Sequence, residues 1–123
     1  MTNQSALEIV SAYQDAWTHK DFDTAARYLA EDIVFHSSGQ HLTRIGEFLT
    51  MLTAFAERIQ PRWEKVAATE EAHSVLVLYK LFTRDGAAAL CADYFIIHDG
   101  KIQSETLVFD PAPFSARPST AAG

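Results

Sequence analysis

The chain has a single cysteine, Cys91, so no disulfide can form within it. A lone thiol fits a reducing cytoplasm, which is the expected location. Basic residues are also scarce. Ten Lys and Arg stand against 16 Asp and Glu, for a net charge of −6. That balance argues against a nucleic-acid partner, which selects basic patches, and no basic amphipathic helix suits a membrane surface. No stretch reaches about 18 apolar residues, so no membrane span is expected. The opening residues Met1-Thr2-Asn3-Gln4-Ser5 lack the basic and apolar regions of a signal peptide. A Gly-rich phosphate loop, a Gly-x-Ser-x-Gly elbow and a nucleotide fingerprint are all missing.

What is present is an ordinary globular composition, 48% hydrophobic over 123 residues, enough for one domain with its own core. Ser5-Ala6-Leu7-Glu8 reads as a capping box, and Ile9, Val10, Tyr13, Ala16 and Trp17 follow at helical spacing, predicting a helix over residues 5–19. Asp21 or Asp23 caps a second, short helix with Phe22, Ala25, Ala26 and Leu29 on its buried side. Ile33-Val34-Phe35-His36 is β-branched and aromatic, as strands are, and residues 37–41 read as a loop. The third helix has the clearest stripe, Ile45, Phe48, Leu49, Leu52, Phe55, Ala56 and Ile59, with Thr43 as its expected N-cap and Pro61 at its end.

From Arg62 the period changes to two. Four strands are expected, over 62–70, 73–84, 87–98 and 101–109. Asp85-Gly86 and Asp99-Gly100 are hairpin signals between them. Helices followed by an antiparallel meander make an α+β domain with the helices on one face of the sheet. Residues 1–110 form that single domain, and residues 111–123, rich in Pro, Ala and Ser, read as a surface extension.

The strand over 73–84 is apolar on both faces. Val75, Val77, Tyr79 and Leu81 share one, while Leu76, Leu78 and Phe82 share the other. A sheet with one wet face should alternate apolar and polar, so both faces are expected to be covered, the outer one by a second copy in a homodimer or else by a long loop or the C-terminal tail. In the next strand Ala89, Cys91, Asp93, Phe95 and Ile97 share a face, and Asp93 is its only ionisable carboxylate. Burial raises a carboxyl's pKa, and a carboxyl kept protonated can donate to a developing oxyanion or act as general acid or base. The same residue could instead cap a local hydrogen-bond network, face the dimer interface or pair with Arg or Lys. Tyr13, on the buried side of the first helix, reads by its position more as a core residue with a satisfied hydroxyl than as a catalytic donor.

The order helix–helix–strand–helix–meander resembles the NTF2-like superfamily, in its SnoaL-like and ketosteroid-isomerase-like branches. The residues that carry the likeness are Tyr13-Gln14-Asp15-Ala16-Trp17, Phe22 to Leu29, Glu31-Asp32-Ile33-Val34-Phe35 and His98-Asp99-Gly100-Lys101-Ile102. The resemblance implies a cone-shaped domain with three N-terminal helices packed in a curved antiparallel sheet, a deep pocket and dimers through the sheet. It aligns Tyr13 with a tyrosine that donates to a substrate oxygen, and Asp93 with a protonated oxyanion-hole aspartate, a pairing already familiar from ketosteroid isomerase. The position of that enzyme's basic aspartate holds Ser37, which cannot be the base without a partner. His36 or His41 could supply one, since imidazole titrates near neutrality, although alternation turns His36 away from Phe35 and Ser37.

The expected catalytic residues are therefore Asp93, Tyr13 and His36. Expected ligand contacts are Trp17, Phe35, Ser37, His41, Phe55, Cys91, Phe95 and Leu107. The partner would be a small, mostly apolar organic ligand, and the reaction an acid/base isomerisation, cyclisation or dehydration of a carbonyl compound. No metal and no cofactor are expected, because the histidines lack a zinc site's spacing. Cys91 reads as a small core residue. Two other functions fit the same residues. One is a carrier whose ligand leaves unchanged. The other is an interaction module, which would have its pocket filled by side chains.

Overall fold

The computed structural model describes residues 4–37 and 39–114, and all counts refer to these. The first helix, α1, spans Ala6–Thr18. Ser5 Oγ accepts from the Glu8 amide at 3.1 Å and the Glu8 carboxylate accepts from the Ser5 amide at 2.8 Å, closing the capping box. Asp21 caps α2, Phe22–Arg27. Leu29, expected on that helix, instead opens strand β1, Leu29–Ser37. Helix α3 spans Ile45–Ile59, with Arg44 rather than Thr43 at its N-cap and no side chain capping it. Gln60, at φ 51°, turns the chain out of the helix ahead of Pro61.

The strands follow. They are β3 (Arg62–Glu71), β4 (Ser74–Phe82), β5 (Ala88–His98) and β6 (Lys101–Phe109). Asp99 and Gly100 both take positive φ, 53° and 75°, as a two-residue hairpin turn needs. The stretch read as a loop holds one more strand, β2 (Gln40–Leu42), paired with β1 through Phe35–Leu42, His36–His41 and Ser37–Gln40. Its three residues are too few to show a period.

The six strands form one curved, unclosed sheet in the order β2-β1-β6-β5-β4-β3. Every pairing is antiparallel except β1 with β6, which is parallel. The helices cover the concave side. The core there includes Ile9, Val10, Phe48, Ala56, Val75, Val77 and Ile102. On the other side Leu76, Leu90, Tyr94, Ile96 and Val108 are exposed, 40% to 67% each. The two-sided apolar reading of β4 thus corresponds to a buried inner face and an outer apolar face that no described residue covers.

The start of the expected surface extension departs from expectation. Ala112–Phe114 form a 3-10 turn, and Phe114 is buried between Phe55 and Phe109, with ring centroids 5.3 and 5.5 Å away. Aromatic burial outweighs the Pro-rich composition of that segment. Residues 115–123 of the extension, Ser38 and Met1–Asn3 lie outside the described residues.

Candidate active site

A cavity of about 450 Å³ lies between the helices and the sheet. Its walls are mainly aromatic and aliphatic: Trp17 from α1, Phe48, Met51, Leu52 and Phe55 from α3, Phe35 from β1, and Leu81, Cys91, Leu107 and Phe109 from the sheet. That volume suits a small organic molecule and is the opposite of the filled pocket an interaction module would have.

At the floor is a group of polar side chains that burial makes costly. Asp93, on β5, is 0% exposed, and Glu105, on β6, is 4% exposed. The two carboxyls lie close enough to influence each other's protonation. The Tyr79 hydroxyl, on β4, donates to Asp93 Oδ2 at 2.9 Å. Oδ1 of Asp93 and Oε1 of Glu105 meet no N–H or hydroxyl donor among the described residues. A proton shared between the two carboxyls would satisfy both. Burial is the main cause that lifts Asp93 from its usual 3.8 to about 7, against hydrogen bonds from Glu105 and Tyr79 that pull it down. Burial, then the charge on Asp93, lifts Glu105 well above the usual carboxylate range. Two carboxyls this close do not both ionise near neutrality, so the pair keeps at least one proton.

The cavity reaches this pair from one side. Glu105, Tyr13 and Tyr79 line it, and Asp93 lies one layer behind. Burial, then the charges of Glu105 and Asp93, holds the Tyr13 phenol well above its ordinary pKa, so it stays a donor. Its ring stands edge-on to Phe95, 6.3 Å between centroids, and no hydrogen bond to a described residue engages its hydroxyl. Beside it, Gln14 accepts from the Trp17 indole at 2.7 Å, while its Nε2 has no acceptor among the described residues.

Of the residues expected at the site, Tyr13, Trp17, Phe35, Ser37, Phe55, Cys91 and Leu107 line the cavity. Asp93 and Phe95 back it without lining it. His36 and His41 do neither. They are an exposed cross-strand pair on the β1–β2 hairpin, Nδ1 to Nδ1 3.1 Å. Phe35 and Ser37 point inward, and strand alternation then turns His36 out, which corrects its expected place at the reacting atoms. Ser37 donates to the Leu107 carbonyl at 3.2 Å. Cys91 has its thiol pushed up to about 12, mainly by burial, so it behaves as a core residue. Among the described residues, no three His, Cys, Asp or Glu gather as a metal site.

Glu105, Tyr79 and Gln14 were not singled out from the sequence. Glu105 was within reach of it: stepping back by two from Phe109 and Leu107 lands on Glu105, on the same inward face.

The pattern of helices, sheet and enclosed cavity coincides with a known sequence family. The SnoaL-like domain matches residues 10–105. The chain belongs to this SnoaL-like family. A protein from Kribbella flavida DSM 17836 is 31% identical, with a TM-score of 0.82 over 89% of this chain and 90% of that one. A Sinorhizobium meliloti protein described as a polyketide cyclase is 25% identical, with a TM-score of 0.73 over 80% of this chain and 92% of its own. At 21% identity, an LEH-like epoxide hydrolase from M. tuberculosis shares the fold, with a TM-score of 0.74 over 85% and 82% of the two chains. No curated protein matches in sequence. Among SnoaL-like folds the sheet and helices recur, so what this member does depends on the floor of its own cavity. No helix among the described residues is long and apolar enough to cross a membrane.

Proposed function

We propose that this SnoaL-like protein is an enzyme performing acid/base chemistry on a small, mostly apolar carbonyl compound, by isomerisation, cyclisation or dehydration. One observation carries the reading. A buried pair of carboxyls, both raised in pKa by burial, presents one of its members, Glu105, to an apolar cavity. When the proton rests on Asp93, Glu105 is the base and takes a proton from the carbon next to the carbonyl. The electron pair moves onto the carbonyl oxygen, where the Tyr13 hydroxyl donates a hydrogen bond. Glu105 then returns the proton to another atom of the same substrate. Asp93 acts through Glu105 as its positioning and proton-sharing partner, and Tyr79 holds Asp93 in place. This assigns the base, a role Ser37 cannot fill, to a residue on the last strand.

Exchange of α-hydrogens in D₂O tests this without knowledge of the natural substrate. With cyclohexanone, 1-indanone and 2-tetralone as probes, the protein is expected to accelerate deuterium uptake, followed by proton NMR. Glu105→Gln should lower the rate by about 10²–10⁴-fold. Equal exchange by wild type and Glu105→Gln would remove Glu105 from the chemistry. A second reading, a carrier, draws on Ser37: its hydroxyl is spent on the Leu107 carbonyl at the usual base position. A ligand that co-purifies and is recovered unchanged, with no exchange on any probe, would favour it.

The outer face of the sheet supports a homodimer, in the cytoplasm that suits a lone buried thiol. Leu76, Leu90, Tyr94 and Ile96 form a contiguous apolar surface on β4 and β5. Tyr94→Lys with Leu90→Lys is expected to shift the mass in sedimentation equilibrium from dimer to monomer. An unchanged mass would place the contact elsewhere.

A further inference from the structure

The cavity's polar groups are divided between its two ends. Tyr13, Tyr79 and Glu105 are buried at the floor, whereas Gln40 and Arg58 are exposed where the cavity opens beside α3 and β2. Arg58 is the only cationic side chain among the described residues of the lining, in a protein of net charge −6. It is held in a fixed posture. Nη1 donates to the Phe114 carbonyl at 2.8 Å, and the guanidinium lies over the Phe55 ring, 5.6 Å from its centroid. No Asp or Glu pairs with it among the described residues, where the only salt contact is His98 with Asp99. Among the described residues, no acceptor engages the edge formed by its Nε and Nη2 hydrogens. A carboxylate fits such an edge with two parallel hydrogen bonds.

We infer that the ligand carries a carboxylate at the end opposite its reacting carbonyl, and that Arg58 at the cavity mouth selects for it. The apolar body would span the aromatic walls. The charge would stay at the mouth, where water offsets part of its desolvation and where it is kept away from the negative carboxyl pair. Gln40, also exposed in the lining, adds a neutral donor. The inference rests on the proposed reading of the cavity as a ligand site, and it adds an orientation: carbonyl inward, carboxylate outward.

The test compares three probes of the same chain length, decanoate, 1-decanol and decyltrimethylammonium, titrated against the full chain and followed by tryptophan fluorescence. Trp17 lines the cavity and reports occupancy. Decanoate is expected to bind roughly fivefold more tightly than decanol, the size of effect a partly exposed ion pair gives. The preference should shrink as salt is raised. Arg58→Gln should remove it, read as the ratio of decanoate to decanol affinity within that same variant, and Arg58→Lys should keep part of it. Equal binding of decanoate and decanol would overturn the inference and leave the cavity reading standing, as would a preference that survives Arg58→Gln. Tighter binding of the cation would overturn it too, by showing that the buried pair governs the mouth. Failure of all three to bind would sink both the inference and the ligand site on which it rests.

Discussion

Raising the pH from 5.5 to 8.5 is expected to lower the melting temperature by about 10 °C, in contrast to the usual stabilisation of proteins away from acid. The cause is the buried pair. Asp93 and Glu105 both have folded-state pKa values above those of the unfolded chain. Below about pH 4 each carboxyl is protonated folded or unfolded, and their contribution to stability is complete. At higher pH the unfolded chain gives up protons that the folded chain retains. Unfolding then releases protons, and rising pH favours it. With Asp93 at about 7, that contribution fades through neutrality, a loss on the order of 2 kcal/mol from this one group. Differential scanning calorimetry across the range measures it. The double variant Asp93→Asn, Glu105→Gln removes both titrations and should flatten the profile. A wild-type melting temperature that rises or stays level would mean the pair ionises as readily folded as unfolded.

Phe95→Ala is expected to cost about 4 kcal/mol, the range for truncating a fully enclosed aromatic side chain. Phe95 is 0% exposed, pairs across strands with Val75 and Glu105, and supports the Tyr13 ring edge-on. Removing it leaves a void that rigid strands on both sides cannot close. The void lies behind two residues of the site, so two measurements should move together. The urea midpoint falls at unchanged slope, and α-hydrogen exchange slows because Tyr13 loses its support. Phe95→Leu, which refills most of the volume, should recover most of the stability. A loss under 1 kcal/mol for the alanine variant would show that the core collapses around the site.

How much could be read beforehand depended on the range of the interactions concerned. Short-range signals were legible. The Ser5–Glu8 box, the stripe of α3 and the Asp99-Gly100 turn each depend on residues within a few positions, and each has its counterpart in the structure. β2 was hidden because three residues, Gln40, His41 and Leu42, are too few to carry a period. Its existence depends on β1 offering a partner. The parallel alignment of β1 with β6 depends on residues far apart in the chain, which no local pattern records. Glu105 illustrates an intermediate case. Counting forward from Ile102 in steps of two turns Glu105 outward; counting back from Phe109 turns it inward. The structure resolves the conflict with a register shift after Ile102, where Ile97 pairs with Ile102 but Ile96 pairs with Ser104. Two inconsistent alternations in one strand were themselves the sign of a bulge. Asp93 stood out because it is alone among apolar neighbours, yet its partner determines what it can do.

The parallel seam between β1 and β6 also sets an order of events on the ribosome. Ser37 emerges 70 residues ahead of Leu107, whose carbonyl its hydroxyl will meet. At ordinary rates of synthesis that gap lasts several seconds. Until β6 is made, the edge of β1 away from β2 has no strand to pair with, although α1, α2 and α3 are made well before it. The carboxyl pair cannot assemble before then either, because Glu105 arrives on the same late strand. A nascent chain truncated before β6 would thus possess neither a closed cavity nor its proton-sharing partner, so architecture and chemistry are completed together by the last strand to be translated.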